Sequence, residues 1–200
     1  FFIVAFGLRA SEGAAPPSKP VQKSNETYRI TLQMLNAQDT LRLLMLSTHL
    51  VGKTPECLIS RFLGTRSDRF RRTLETNSIR RGRQKFELNT TISIFVRNRR
   101  RPYLHALSEE DPLPRFWSEA QYLKHAEPRE CFILEDVYYD GPRAPCVLWG
   151  YKKTRNCEMR FVENCGAGKP AYLQECTEIK EENDFCFKSC ERHVGTTCSN

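Results

Sequence analysis

Phe86-Glu-Leu-Asn-Thr-Thr-Ile-Ser-Ile-Phe-Val96 is the stretch whose pattern sets the fold class. Phe86, Leu88, Thr90, Ile92, Ile94 and Val96 share one face at period two, and Glu87, Asn89, Thr91 and Ser93 share the other. That alternation is a strand with one buried side. Working outward, Cys57 to Leu63 closed by Gly64, Glu119 to His125, Cys131 to Val137 and Cys146 to Tyr151 are further strand candidates, separated by Pro128, Asp140-Gly-Pro142 and Pro145. Leu41 to Leu50 reads as helix or strand by propensity. Its bounding by Asp39 and Gly52-Lys-Thr-Pro55 is compatible with a strand of about ten residues. Several short strands with turn residues between them predict a mostly β barrel or sandwich.

Two helices flank the strands. Tyr28, Leu32 and Leu35 recur at helical spacing until Asn36-Ala-Gln-Asp39 breaks the run. Near the other end, Asn156 suits a cap, Glu158 a first turn, and Gly166 the position after the last residue. Cys157, Phe161 and Cys165 then lie on one face of that helix, which places two cysteines to tie it to the sheet.

The chain opens on an apolar run, Phe1 to Leu8, stopped by Arg9 and followed by Ala10, Ser11, Gly13, Ala14 and Ala15. Residues 1–13 are read as the remnant of a secretory signal peptide, because the run is too short to span a bilayer. Residues 14–27 are rich in Ala, Pro, Ser and Lys and are expected to form a flexible arm. Nine cysteines without a CxxC pair, and the sequons at Asn25 and Asn89, fit the same secreted, extracellular and glycosylated protein. Residues 28–176 are then one barrel domain and 177–200 a Cys-rich tail. Cys186, Cys190 and Cys198 of the tail cannot pair among themselves without a remainder, so a monomer is expected with a disulfide-linked dimer as the alternative. With His193 they are also a zinc set on paper, but an oxidising compartment favours disulfides, and no metal is expected.

The net charge of +7 is unevenly spread. Residues 61–101 hold thirteen Lys and Arg against Asp68, Glu75 and Glu87. The pairs Arg71-Arg72 and Arg80-Arg81 and the triplet Arg99-Arg-Arg101 are either a solvated surface or a site for heparan sulfate, an acidic host protein or an anionic lipid. The triplet with Pro102 also reads as an exposed processing site. Secretion argues against nucleic acid, and no segment is long and apolar enough to span a membrane. None of His49, His105, His125 and His193 stands in a nucleophile or metal motif, so neither an enzyme nor a cofactor is expected.

Cys131-Phe132-Ile133, Val147-Leu148-Trp149, the helix bearing Cys157 and Cys165, and finally Cys176 resemble the C-terminal half of the tick lipocalins that include the salivary histamine-binding proteins. There a strand opens with Cys-Asp-aliphatic, a later one carries Glu-Leu-aromatic, and a short helix brings in further cysteines. Cys57 and Tyr28-Arg-Ile-Thr-Leu32 look like the N-terminal half, with Tyr28 where a Trp usually stands. The resemblance spans residues 25 to 176. It implies a lipocalin-like antiparallel β-barrel, stapled by disulfides, with a short N-terminal helix and a C-terminal helix. It further implies the pairs Cys57–Cys176 and Cys131–Cys157. Cys146–Cys165 follows because Cys146 begins the strand before the helix that carries Cys165; spacing alone leaves 15 connectivities for six cysteines.

The implied function is that of a salivary protein sequestering a small host mediator to evade host defence. In amine-binding members the Asp and Glu of these motifs hold the cation; here Phe132 and Val147 replace them. Each lost charge-assisted hydrogen bond is worth about 1.5–3 kcal/mol, so amine affinity should fall by roughly two to four powers of ten. Glu87, Glu135 or Asp136 would have to turn inward to restore it. An apolar or amphipathic lipid, such as a fatty acid or eicosanoid, is the better expectation. The interior candidates are Phe95, Trp117, Phe132, Val147 and Trp149, whose alternative reading is plain core packing. The rival function is a protein-binding inhibitor of host defence acting through residues 61–101.

Overall fold

The computed structural model describes residues 24–77, 88–110, 112–172 and 176. Helix α1, Ser24–Asn36, buries Thr27, Ile30, Thr31, Met34 and Leu35 as one stripe, the i, i+3, i+4, i+7 spacing of a helix lying on a core. It begins one turn ahead of Tyr28, inside the stretch expected to be a flexible arm, because Thr27 extends the stripe and Glu26 sits favourably in the first turn.

The strands are β1 Leu41–Ser47, β2 Leu58–Ser60, β3 Phe62–Arg66, β4 Arg69–Thr76, β5 Asn89–Arg97, β6 Tyr103–Ser108, β7 Gln121–Glu127, β8 Cys131–Asp136, β9 Cys146–Gly150 and β10 Gly168–Pro170. All pairs are antiparallel, in the order β1-β2-β4-β5-β6-β7-β8-β9, and β9 returns to β1. This is a closed eight-stranded barrel. β3 continues β2 along β4, and β10 extends β1 beyond its pairing with β2. Closure runs through a bulge: Leu43 pairs with Trp149 and Met45 with Leu148, so Leu44 is the extra residue. Leu43 and Leu46 join the inner cluster, while Leu44 and Met45 join an outer one.

Several elements depart from the sequence reading. β1 ends at Ser47, not Leu50, and the chain turns into a short 3-10 helix over Thr48–Leu50 that still buries Leu50. The strand expected from Cys57 to Leu63 is split between β2 and β3, and Gly64 lies inside β3 at a register shift rather than ending a strand. β4 and β6 went unread: β4 hides its alternation behind Arg69, Arg71 and Arg72, and β6 offers only Leu104 and Ala106 to the interior. In β5 the inward face of Thr90, Ile92, Ile94 and Val96 is as expected; Phe86 and Glu87 lie outside the described residues. So do the leader, most of the arm, Arg80-Arg81, and the tail with Cys186, Cys190, His193 and Cys198. Asn25 and Asn89 are both exposed.

Helix α3, Arg155–Cys165, is capped by Thr154 rather than Asn156, through a hydroxyl that accepts the Cys157 N–H at 3.3 Å. Gly166 closes it at φ 80°, a conformation that favours glycine. Cys157, Phe161 and Cys165 pack on the outside of the barrel with Cys131, Ile133, Cys146 and Leu148. β8 and β9 are therefore covered on both faces, which is why they read as unbroken apolar runs instead of alternating ones. Gly168 of β10 passes so close that a Cβ there would stand 2.4 Å from the Phe161 ring. The disulfides are Cys57–Cys176, Cys131–Cys157 and Cys146–Cys165, the pairs implied by the resemblance and the strand order.

α1 crosses one end of the barrel, from the β5–β6 turn, where Asn98 donates to Asn25, to β3, where Thr65 donates to Asn36. Its C-terminal end is held by Arg72, a fully buried residue on the inward face of β4. Arg72 Nη1 donates to the Leu35 and Ala37 carbonyls, Nη2 to those of Asp39 and Ser60, and Nε to Ser60 Oγ, at 2.7–3.2 Å. All five donors are engaged. Burial pulls the guanidinium down to about 10, so it stays charged at neutral pH. Replacing Arg72 with Met should cost about 3–5 kcal/mol, because four carbonyls lose their donor together; Lys, with three donors on a point charge, should not restore it. Urea unfolding should show a lower midpoint at unchanged slope, and a loss under about 1 kcal/mol would contradict this role.

Candidate ligand-binding site

The inward side chains of β1, β4, β5, β6, β8 and β9 converge on a central cavity lined by Leu35, Leu41, Leu74, Ile92, Ile94, Leu104, Ala106, Phe132, Leu134, Trp117 and Trp149, with Ser60 and Gln121 as the polar members. Phe132 and Trp149 are cross-strand partners in β8 and β9. Trp117 meets the Trp149 ring edge-on at 5.7 Å and Phe116 at 5.0 Å. Free space inside is about 40 Å³. Small-molecule sites occupy roughly 300–1,000 Å³, so the aromatic side chains must move before a lipid fits.

Trp117 comes from α2, Arg115–Ser118, a single turn between β6 and β7. Only two positions pair these strands, Tyr103 with Tyr122 and Leu104 with Gln121. α2 lies beside β6 in place of further strand, held by His105 Nε2 at 2.9 Å from the Ser118 carbonyl and by Gln121 Nε2, which donates to the Phe116 carbonyl at 2.6 Å. The ladder is short at this seam, next to one of the two tryptophans that line the cavity.

Of the five interior candidates, Trp117, Phe132 and Trp149 line the cavity. Val147 is fully buried in the same inner cluster but does not reach the free space. Phe95 is a correction. Period two puts it opposite Ile94 and Val96, on the outer face, where the guanidinium of Arg69 stacks on its ring at 4.3 Å and that of Arg97 at 5.6 Å. Gln121 was missed, since a lone Gln at a strand start carries no periodic signal, and so was Arg72, masked by its run of arginines.

Among the described residues no carboxylate lines the cavity. Glu135 is buried but faces outward with Cys131 and Ile133, and its two oxygens are taken by Lys124 and by Arg101, the latter at 2.6 Å. Asp136 accepts the Tyr138 N–H. Among the described residues no cluster of His, Cys, Asp and Glu could hold a metal ion, and no helix is long and apolar enough to cross a membrane.

The arginine-rich face is largely self-paired. Arg71 forks onto Glu109 at 2.9 and 2.7 Å, Arg97 meets Asp68 at 2.7 Å, Arg61 meets Glu75 at 3.7 Å, and Arg101 stacks on Tyr122 at 3.8 Å while holding Glu135. Among the described residues of the basic segment, Arg66, Arg69, Arg99 and Arg100 are exposed side chains outside these ion pairs, and Arg69 stacks on Phe95.

No family model and no curated protein matches this sequence. Solved structures do. Japanin from Rhipicephalus appendiculatus, bound to cholesterol, superposes with a TM-score of 0.54 at 16% identity, covering 70% of this chain and 96% of that one. Apocrustacyanin C2 gives 0.52 at 8% identity over 78% and 89%, and lobster apocrustacyanin A1 gives 0.50 at 9% over 77% and 87%. The chain has the lipocalin fold. In a barrel of this fold the interior is the natural place for a small ligand.

The outer face gives a direct electrostatic test. The Arg71 guanidinium and the Ser93 hydroxyl hold the Glu109 carboxyl at about 2, below its ordinary 4.5. A depressed folded value means that the interaction stabilises the fold above pH 4.5 and is lost as pH falls through about 2. Carboxyl NMR titration should place the Glu109 midpoint near 2, and Arg71→Ala should return it toward 4.5. A midpoint near 4.5 in the parent protein would contradict the fork.

Proposed function

We propose that this protein is a secreted, tick-salivary-type lipocalin that sequesters a small, neutral, apolar host molecule in its barrel and so blunts host defence, by binding alone and without chemistry. The observation that carries this reading is a cavity walled mainly by aliphatic and aromatic side chains, with no acid and no base among its described lining residues. A buried ammonium without a counter-ion costs several kcal/mol, which argues against histamine and serotonin. A fatty-acid carboxylate fares little better, because Arg72, the buried cation at the cavity floor, has all its donors engaged. Sterols and related neutral lipids remain, and the cholesterol-bound structural neighbour gives the probe. The disulfides, the exposed sequons and the resemblance in the C-terminal half support secretion. The rival reading, docking of a host protein or heparan sulfate on the basic face, is weakened by the pairing of Arg61, Arg71, Arg97 and Arg101 with acids of the same chain.

The chain has two tryptophans, and both line the cavity. Intrinsic emission therefore reports on the site without a label. Cholesterol should change it saturably, arachidonate should do so more weakly, and histamine should leave both emission and calorimetric heat unchanged at micromolar concentration. Nanomolar histamine binding would overturn the reading, as would failure of all apolar probes to perturb the tryptophans.

A further inference from the structure

We propose that Gln121 determines ligand specificity: its side-chain carbonyl receives a hydrogen bond from a hydroxyl of the ligand, while its amide nitrogen holds α2 across the seam between β6 and β7. The inference rests on the reading of the barrel as a site for a neutral apolar ligand, and narrows that class to alcohols.

Gln121 is 3% exposed and lines the cavity. Its Oε1 is the one buried side-chain polar atom without a hydrogen-bond partner among the described residues. The orientation of the amide is fixed, because Nε2 donates to the Phe116 carbonyl at 2.6 Å; turned over, two carbonyl oxygens would face each other. A buried carbonyl without a donor is costly, and a ligand that brings the donor removes the cost. Ser60, the other polar lining residue, already accepts from Arg72 Nε at 3.2 Å. The apolar interior thus presents an unmatched acceptor and no available ion.

That arrangement selects among ligands of one shape. A sterol or other hydroxylated lipid supplies the missing donor. The corresponding ketone supplies only an acceptor, and a carboxylate sets lone pairs against lone pairs. An ammonium supplies donors but finds no counter-ion. A hydrogen bond received at Oε1 also polarises the amide and strengthens the bond from Nε2 to Phe116, so the alcohol that binds draws α2 against the barrel.

The test compares cholesterol with cholestenone, its ketone, by tryptophan emission in the parent protein and in Gln121→Met. The parent should prefer the alcohol by about tenfold, and in the variant the two should bind within about twofold. No preference in the parent, or an equal preference in the variant, would overturn the role of Gln121 while leaving the apolar site intact. Binding of neither sterol by the parent would overturn the site reading and the inference together. Should Gln121→Met fail to fold, the labelled side-chain carbonyl of Gln121 in the parent decides: its carbon resonance should move on adding cholesterol and stay with cholestenone, and an unmoved resonance in both overturns the proposal.

Discussion

A cation buried without a carboxylate holds the lower end of this barrel together. Arg72 answers the oxygens of Leu35, Ala37, Asp39 and Ser60, groups that the end of α1 and the short β2 strand leave without partners of their own. No described carboxylate lies within ion-pair distance, so its charge is met by carbonyl dipoles, including the negative end of α1, with the Asp39 carboxylate adding to them from farther off. The Tyr151 hydroxyl adds a donor to the Met34 carbonyl, and burial pushes its titration up. Together with the buried stripe of α1, this side chain fixes where the helix ends and how Leu35 meets the cavity. The same engagement withdraws the interior cation from any ligand, which links the architecture of the floor to the neutrality of the site.

How much of this the sequence discloses depends on whether an element answers to one neighbour or to several. β5 alternates cleanly because one face meets the core and the other meets solvent. β8, β9 and α3 are legible through their cysteines, for which the resemblance implies Cys131–Cys157 and the strand order Cys146–Cys165. β4 was not, since its inward Arg72 breaks the alternation by design: a polar residue in a core position reads as a surface residue until its partners are known. β1 was over-extended because the barrel, not the chain, ends it at Ser47.

The site was partly legible. Phe132 stands out as the replacement of a motif acid, whereas Trp117 and Trp149 stand out as large aromatics, and size is what a small barrel needs inside. Phe95 satisfied the same criterion and yet lies outside, where two guanidiniums cover its ring. Period two already assigned it to that face, so the local pattern was the better guide than residue type. Gln121 has no pattern at all; its meaning comes from the oxygen it leaves unmatched after α2 has taken its nitrogen.

The three disulfides are gathered on one side. They fasten α3 to β8 and β9 and the approach to β2 to the end of the described chain, while the span from Leu58 to Glu130 contains no cysteine. Cys131–Cys157 and Cys146–Cys165 join residues only 26 and 19 positions apart and close short loops around α3, whereas Cys57–Cys176 joins residues 119 apart and closes a loop that takes in every strand after β1, so the first two fix a local frame and the third restrains the whole barrel. The lining residues on β4, β5, β6, α2 and β7 carry none of these bonds, so a substitution that alters the choice of ligand there leaves every crosslink in place.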